Sequence, residues 1–379
     1  MNSRYNVKSI SKKKDYLSID WADNFKSKFH FLWLRDNCPS GMHPIANMRT
    51  FNILTISNKI YPIEYYIKNK KLNINWSEGK HLSIYDLKWL RNHCYTEIRS
   101  KKYISPYVLW NKKLKDNFNN IKLDHDKILR NDKILKKWLF LLHKYGFAIV
   151  KNAPTYKKSA FGILNKISHH RETFFGTPFE VINIPKPNNT AYTADALRNH
   201  TDLPYFEYAP GYQFLHCLIN DAKGGESSVV DGFAVANYIR INEKDVFKIL
   251  TNTYVKFKDT DYTQKSIRVL HSPIITLTKD KDFNDIRFSM AAMGTIDIHP
   301  KKMKKFYEAY KYFASLLNNN KFKINFRLKA GDIFCFNNRR VLHGRTEFDP
   351  NSGNRHLQGY YIERDEIIGR LNYLNNMKV

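Results

Sequence analysis

What most constrains this chain is the succession of short apolar runs and glycine turns in its C-terminal half. YQFLHCLI (residues 212–219) is followed by KGGESSVVDGF (223–233), and FKINFRLKAGDIFCFNNRRVLHG (322–344) repeats the pattern. Short apolar segments bounded by glycine read as half-buried or buried strands. Ala330, Gly331 and Asp332 mark a hairpin turn inside the last region. Many strands with few long helices predict a mainly β fold with flanking helices. The expected form is a double-stranded β-helix, or jelly roll.

The 379 residues leave room for a second, smaller unit. Residues 1–100 read as a small β-rich N-terminal domain. FHFLWL (29–34) and NILTIS (52–57) are its expected strands, and LSIYDLKWLRNHCY (82–95) its closing helix. The Lys- and Asn-rich stretch 101–132 reads as a connector, and 133–379 as the jelly-roll domain. Near its start Leu135, Trp138, Leu139, Leu141 and Leu142 fall at helical spacing. Gly146 stands where a helix C-cap belongs, and FAIVKN follows as a strand.

The net charge is +28, yet the lysines are scattered in ones, twos and threes, which reads as a solvated surface rather than a nucleic-acid arm. Such a surface also speeds the approach of small dicarboxylates. Neither a signal-type apolar stretch nor an apolar run long enough to span a bilayer occurs. Four dispersed cysteines (Cys38, Cys94, Cys217, Cys335) suit a reducing cytoplasm. No nucleic acid or membrane partner is expected.

RNHTDLPY contains His200-x-Asp202. In an extended strand residues i and i+2 share a face, so imidazole and carboxylate can bind one metal together. In a chain with 14 His and 35 acidic residues, chance supplies about one such tripeptide. His343, in VLHGR, is the candidate third ligand. Two histidines and a carboxylate on one face suit non-heme iron(II). Arg355, 12 residues after His343 in NRHLQGYY, reads as lying on a strand that returns beside the first. A guanidinium there can hold a carboxylate of 2-oxoglutarate in a bidentate pair, and Ser227 can add a hydroxyl. Arg345, Arg364 and Arg370 are rivals for the anchor. The same counts make bland readings available: a capped-turn histidine at 200, a core histidine at 343, and aromatic packing among 25 Phe and 24 Tyr.

The ordered set WLRDNCPSG, AYTADALRNHTDLPY, GYQFLHC, GGESSVVDGF and LHGRTEFDPNSGNRHLQGYY resembles the gamma-butyrobetaine and trimethyllysine dioxygenases, within the wider taurine-dioxygenase-like oxygenases. The resemblance implies that His200, Asp202 and His343 hold iron(II), that Arg355 anchors 2-oxoglutarate, and that O2 and a small molecule are co-substrates of a homodimer. It also implies an aromatic cage for a trimethylammonium group, formed by Phe175, Phe179, Tyr192 and Tyr361, with Asn189 as a polar contact. This chain departs from the pattern in three places. Phe175 and Phe179 stand where animal butyrobetaine enzymes carry Tyr and Trp. Met290 and Ala291 stand where those enzymes place an asparagine near the substrate carboxylate. Where animal members hold a structural zinc, Cys38, His43 and His81 leave three good ligands, with Ser40 in a ligand's place, so zinc is not expected. The alternatives are a same-fold oxygenase for another small anion (a sulfonate, phosphonate or amino acid) and a basic nucleic-acid-binding sensor on a degenerate oxygenase fold.

Overall fold

The helix Asp132–Tyr145 begins where Asn131 Oδ1 accepts a hydrogen bond from the Lys133 amide (2.8 Å). Its buried residues are Leu135, Trp138, Leu139, Leu141 and Leu142, the spacing expected of one apolar face. Gly146 ends it with φ +77°, and a Cβ there would meet Val341 Cγ2 at 2.8 Å, so glycine is required twice over. The turn launches strand Phe147–Lys151 into the core. The computed structural model describes residues 3–96, 107–183 and 193–376.

The chain divides into two compact units, Met1–Lys102 and Tyr103–Val379. The first contains two three-stranded antiparallel meanders. Val7–Lys12, Tyr16–Trp21 and Lys26–His30 form one, and Pro62–Lys68, Lys71–Trp76 and Leu82–Asp86 form the other. Each buries a tryptophan whose indole N–H is satisfied by a serine hydroxyl, Trp21 by Ser27 and Trp76 by Ser83, both at 2.8 Å. Three local expectations fail here. FHFLWL is strand only at Phe29 and His30 and helix from Phe31 on, since Phe31–Asp36 is helical. NILTIS is a short 3-10 turn with Leu54 exposed. The expected helix over 82–95 starts as strand Leu82–Asp86 and turns helical only at Leu87, where Asp86 accepts from the Trp89 amide (2.9 Å). Short mixed apolar runs fit either period, and cross-strand pairing decided between them.

The second unit holds a six-stranded sheet in the order Lys122–Asp124, Phe147–Lys151, Ile333–Asn337, Tyr212–Asn220, Arg355–Ile362, Phe179–Ile182, and a four-stranded sheet in the order Leu197–His200, Val341–Arg345, Ser227–Asp231, Ile324–Phe326. This is the two-sheet jelly-roll arrangement. Residues 107–132 include strand Lys122–Asp124, which joins the larger sheet parallel to Phe147–Lys151. The Ala330–Asp332 turn is not a hairpin. Gly331 takes φ +84°, but the strands flanking the turn belong to different sheets. Strand Arg355–Ile362 likewise does not return beside Val341–Arg345. It pairs with Tyr212–Asn220 and Phe179–Ile182 in the opposite sheet. Neighbours in sequence alternate between sheets, so adjacency along the chain misled both readings.

Candidate active site

His343 lies in the middle of the four-stranded sheet, with His200 in register on one side and Val229 on the other. The two imidazoles stand with centroids 4.4 Å apart. Asp202 completes the group: its Oδ1 is 3.1 Å from His200 Nε2 and 3.6 Å from His343 Nε2. One potential ligand atom from each residue lies within 4.8 Å of the others, and among the described residues this is the only such cluster of three His, Cys, Asp or Glu side chains. Cys38, His43 and His81 do not converge on one point. His43 Nδ1 instead accepts from the Ile45 and Ala46 amides (3.3 and 3.1 Å).

Asp202 does not share a strand with His200, contrary to the expectation from their spacing. The strand ends at His200, and Asp202 lies in the bend beyond it. Its backbone is held by Asn338: the Asp202 amide donates to Asn338 Oδ1 (2.7 Å), and Asn338 Nδ2 donates to the Asp202 carbonyl (3.0 Å). The bend continues through Leu203, at φ +52°. The Arg287 guanidinium then holds three carbonyls, of Pro204 (2.8 Å), Phe206 (2.6 Å) and Glu207 (2.7 Å).

The electrostatics favour an ionised Asp202 and a neutral His343. Burial alone would raise the Asp202 carboxyl. His343, His200 and the Tyr361 hydroxyl, which donates to Asp202 Oδ2 at 2.7 Å, outweigh burial and hold the group well below the carboxylate range. Burial, with His200 beside it, pushes His343 down to about 3, so its imidazole is neutral near pH 7. Burial opposes protonation of His200, but its hydrogen bond to Asp202 and that group's charge raise it. His200 Nδ1 is 2.8 Å from the Arg198 carbonyl, and donation there directs Nε2 to the cluster. A carboxylate and two imidazoles make a donor set that fits iron(II).

A cavity of about 250 Å³ opens beside the cluster, lined among others by Asp202, Phe175, Phe179, Tyr361, Tyr205 and Lys258. Phe179 stacks on Tyr361 (5.0 Å), and Phe175 is 6.1 Å from Phe179. Gly359 makes this possible, because a Cβ there would run into the Phe179 ring. Three of the four expected cage rings therefore line one cavity. Tyr192 and Asn189 lie outside the described residues. Ala291 lines the same cavity, while Met290 lies at the surface with its sulfur 3.8 Å from Arg198.

Arg355 lines a separate cavity of about 300 Å³. Its Nε is buried without a hydrogen-bond partner, and burial lowers the guanidinium to about 10. Gly225, at φ +68°, abuts it, since a Cβ there would lie 3.1 Å from Arg355 Nε. The rivals differ. Arg345 donates to the Thr193 and Asp195 carbonyls (2.7 and 2.8 Å), and Arg364 donates to the Asn284 carbonyl (3.1 Å). Arg370 stacks on Tyr373 (5.3 Å) next to the C-terminus. Ser227 is buried opposite Arg345 in the four-stranded sheet.

Sequence reasoning missed Tyr205, Lys258 and Asn338. Tyr205 sits three residues after Asp202, inside the quoted motif, and was legible. Lys258 is one lysine among many, and Asn338 reaches its partner across 136 residues, so neither left a local signal.

Residues 110–361 match the Taurine catabolism dioxygenase TauD, TfdA family, and residues 8–91 match the Gamma-butyrobetaine hydroxylase-like, N-terminal family. The chain is 35% identical over 361 residues to the gamma-butyrobetaine dioxygenase of Pseudomonas sp. (strain AK-1), covering 94% of this chain and 92% of that one. It is 31% identical over 369 residues to the human gamma-butyrobetaine dioxygenase, covering 94% of each. It is 28% identical over 380 residues to the trimethyllysine dioxygenase of Meyerozyma guilliermondii, covering 95% and 94%. A solved structure from Burkholderia xenovorans, described as an alpha-ketoglutarate-dependent taurine dioxygenase, superposes with a TM-score of 0.50 at 11% identity. It covers 68% of this chain and 90% of that one, and it supports the fold alone.

Proposed function

The chain belongs to the gamma-butyrobetaine and trimethyllysine dioxygenase family, within the TauD/TfdA group, and from that premise we propose that it hydroxylates a small trimethylammonium substrate such as gamma-butyrobetaine. It is a 2-oxoglutarate-dependent dioxygenase that uses iron(II). The observation that carries the substrate reading is the cavity itself, in which Phe175, Phe179 and Tyr361 stand beside Asp202. A quaternary ammonium donates no hydrogen bond, and ring faces attract it by about 0.5–2 kcal/mol each.

His200 Nε2, Asp202 Oδ1 and His343 Nε2 would hold the iron, and Arg355 would bind the far carboxylate of 2-oxoglutarate. Iron(II) with 2-oxoglutarate supplies the oxidation: one atom of O2 enters a C–H bond of the substrate and the other enters succinate as CO2 leaves. The protein's own share is placement. Tyr361 occupies Asp202 Oδ2 and leaves Oδ1 toward the imidazoles. The Phe179–Tyr361 stack seats the cation and keeps water from its methyl groups.

Lys258, at the cavity wall and without an ion pair among the described residues, suits the substrate's anionic end. That lysine, with Ala291 in place of an amide side chain, also favours a second reading, a different small anion as substrate. The four free cysteines support a cytoplasmic setting, and no helix among the described residues is long and apolar enough to cross a membrane. A homodimer is part of the same reading, on the family resemblance, and light scattering tests it.

The deciding experiment measures succinate release with iron(II), O2 and 2-oxoglutarate. Gamma-butyrobetaine or trimethyllysine should stimulate it well above the substrate-free rate. Stimulation by a sulfonate, phosphonate or ordinary amino acid alone would move the assignment to the second reading.

A further inference from the structure

The strand that presents His200 stops there, so no ladder holds the ligand two residues on. A carboxylate on an unpaired bend would sample many positions, yet Asp202 Oδ1 lies within 3.1 and 3.6 Å of the two imidazoles. Among the described residues, the one side chain that grips this backbone at both its donor and its acceptor is Asn338. Its Oδ1 accepts from the Asp202 amide at 2.7 Å, and its Nδ2 donates to the carbonyls of Asp202 (3.0 Å) and Pro210 (3.2 Å). Asn338 is fully buried, and its own backbone amide donates to the Gly211 carbonyl (3.0 Å). Both ends of the side-chain amide are committed, so turning it over would set N–H against N–H and oxygen against oxygen.

The place of Asn338 in the chain gives this grip a second meaning. It lies between strand Ile333–Asn337 of the larger sheet and strand Val341–Arg345 of the smaller one, five residues before His343. The turn that carries the chain from one sheet to the other therefore delivers His343 and clamps Asp202. Its far side is anchored by Arg340, whose Nε and Nη2 meet Asp231 at 3.0 and 2.7 Å in a fully buried ion pair.

We propose that Asn338 is a positioning residue for the iron site: its side-chain amide stands in for a missing strand neighbour and fixes the Asp202 carboxylate relative to His200 and His343. This rests on the iron-site reading above. Asn338→Ala removes the grip, and Asn338→Asp keeps the acceptor and the volume while removing the donor.

The test uses the metal-free full-length protein and cobalt(II) as the probe, titrated without oxygen and followed by the visible absorption of the bound ion. Partners that orient a metal ligand are worth roughly 10- to 100-fold in affinity. Asn338→Ala and Asn338→Asp should raise the cobalt(II) dissociation constant by about that factor and alter the absorption bands, while the metal-free variants still melt cooperatively. Affinity and bands unchanged from wild type would overturn the proposal, whatever the melting temperature does. Should neither variant fold, hydrogen exchange on the wild-type metal-free protein decides. The Asp202 amide, although past the strand end, should exchange slowly, and exchange at the rate of an open loop would overturn the clamp. Wild-type protein that takes up no cobalt(II) would sink the iron reading instead, leaving the exchange measurement to judge the clamp.

Discussion

His343 and His216 are both buried histidines on central strands, and burial is the first cause that lowers each, His343 to about 3 and His216 to about 4. Yet their surroundings differ. His343 faces His200 and Asp202 in the smaller sheet. His216 is in register with Gln358 on the larger sheet, its ring has the Pro154 carbonyl as its polar neighbour, and its titratable influence is His125, itself buried. A depressed imidazole alone does not mark a metal site. What distinguishes the first position is a second imidazole and a carboxylate converging on the same point.

The largest effect should come from breaking that convergence. On the proposed iron site Asp202→Ala removes one of three ligands, so metal affinity and succinate formation should fall by more than the roughly 100-fold upper value for losing a supporting partner. Cobalt(II) titration and turnover check it, and normal 2-oxoglutarate turnover would refute the assignment.

Next, the same contrast runs through the arginines. Arg345 Nη2 is taken by the Thr193 and Asp195 carbonyls, whereas among the described residues no hydrogen bond holds the Arg355 guanidinium; the Nε of each is buried without a partner. Removing one partner of a buried charge pair costs about 2–5 kcal/mol. Arg355→Met should therefore raise the KM for 2-oxoglutarate by roughly 30-fold or more.

His216 should act on stability instead. Its native form resists the proton that the unfolded chain accepts below about pH 6.5. Its contribution is thus complete above that pH and is lost as pH falls toward about 4. His216→Leu should flatten that acid limb by about 2–3 kcal/mol in urea melts while leaving turnover at neutral pH unchanged. An unchanged limb would show that the two histidines are not alike even in burial.

Gly359→Ala probes the cage wall, where a methyl group collides with the Phe179 ring. Overpacking costs about 1–3 kcal/mol, and the shifted ring should raise the substrate KM more than it lowers kcat. The smallest effect belongs to the exposed Lys258: Lys258→Met should raise the KM of a zwitterionic substrate by about two- to fivefold, as expected of a solvent-screened pair worth at most about 1 kcal/mol, and leave an uncharged ester analogue unaffected.

Much of this was legible locally. The helix Asp132–Tyr145, its glycine stop, and the strands at 147, 212 and 227 follow from periods and turn residues that neighbouring amino acids set among themselves. The three side chains that the structure brings together were legible too, because few residue types suit iron(II) and their motifs keep their order along the chain. Strand partnership was not. The turn at Gly331 and the strand at Arg355 invite hairpin readings, and only the crossing between two sheets assigns each to its true neighbour.

The amino-acid sequence by itself therefore determined the local elements and the chemistry available: which side chains can ligate, anchor a carboxylate or face a cation. Tertiary structure alone decided that Asp202, beyond the end of its strand, is held by an asparagine 136 residues away, that Arg355 opens on a different cavity from the aromatic rings, and that His216 stays outside the site. The reason is physical. Periodicity records which face of an element avoids water, whereas a hydrogen bond between distant segments exists only once the sheets have brought them together.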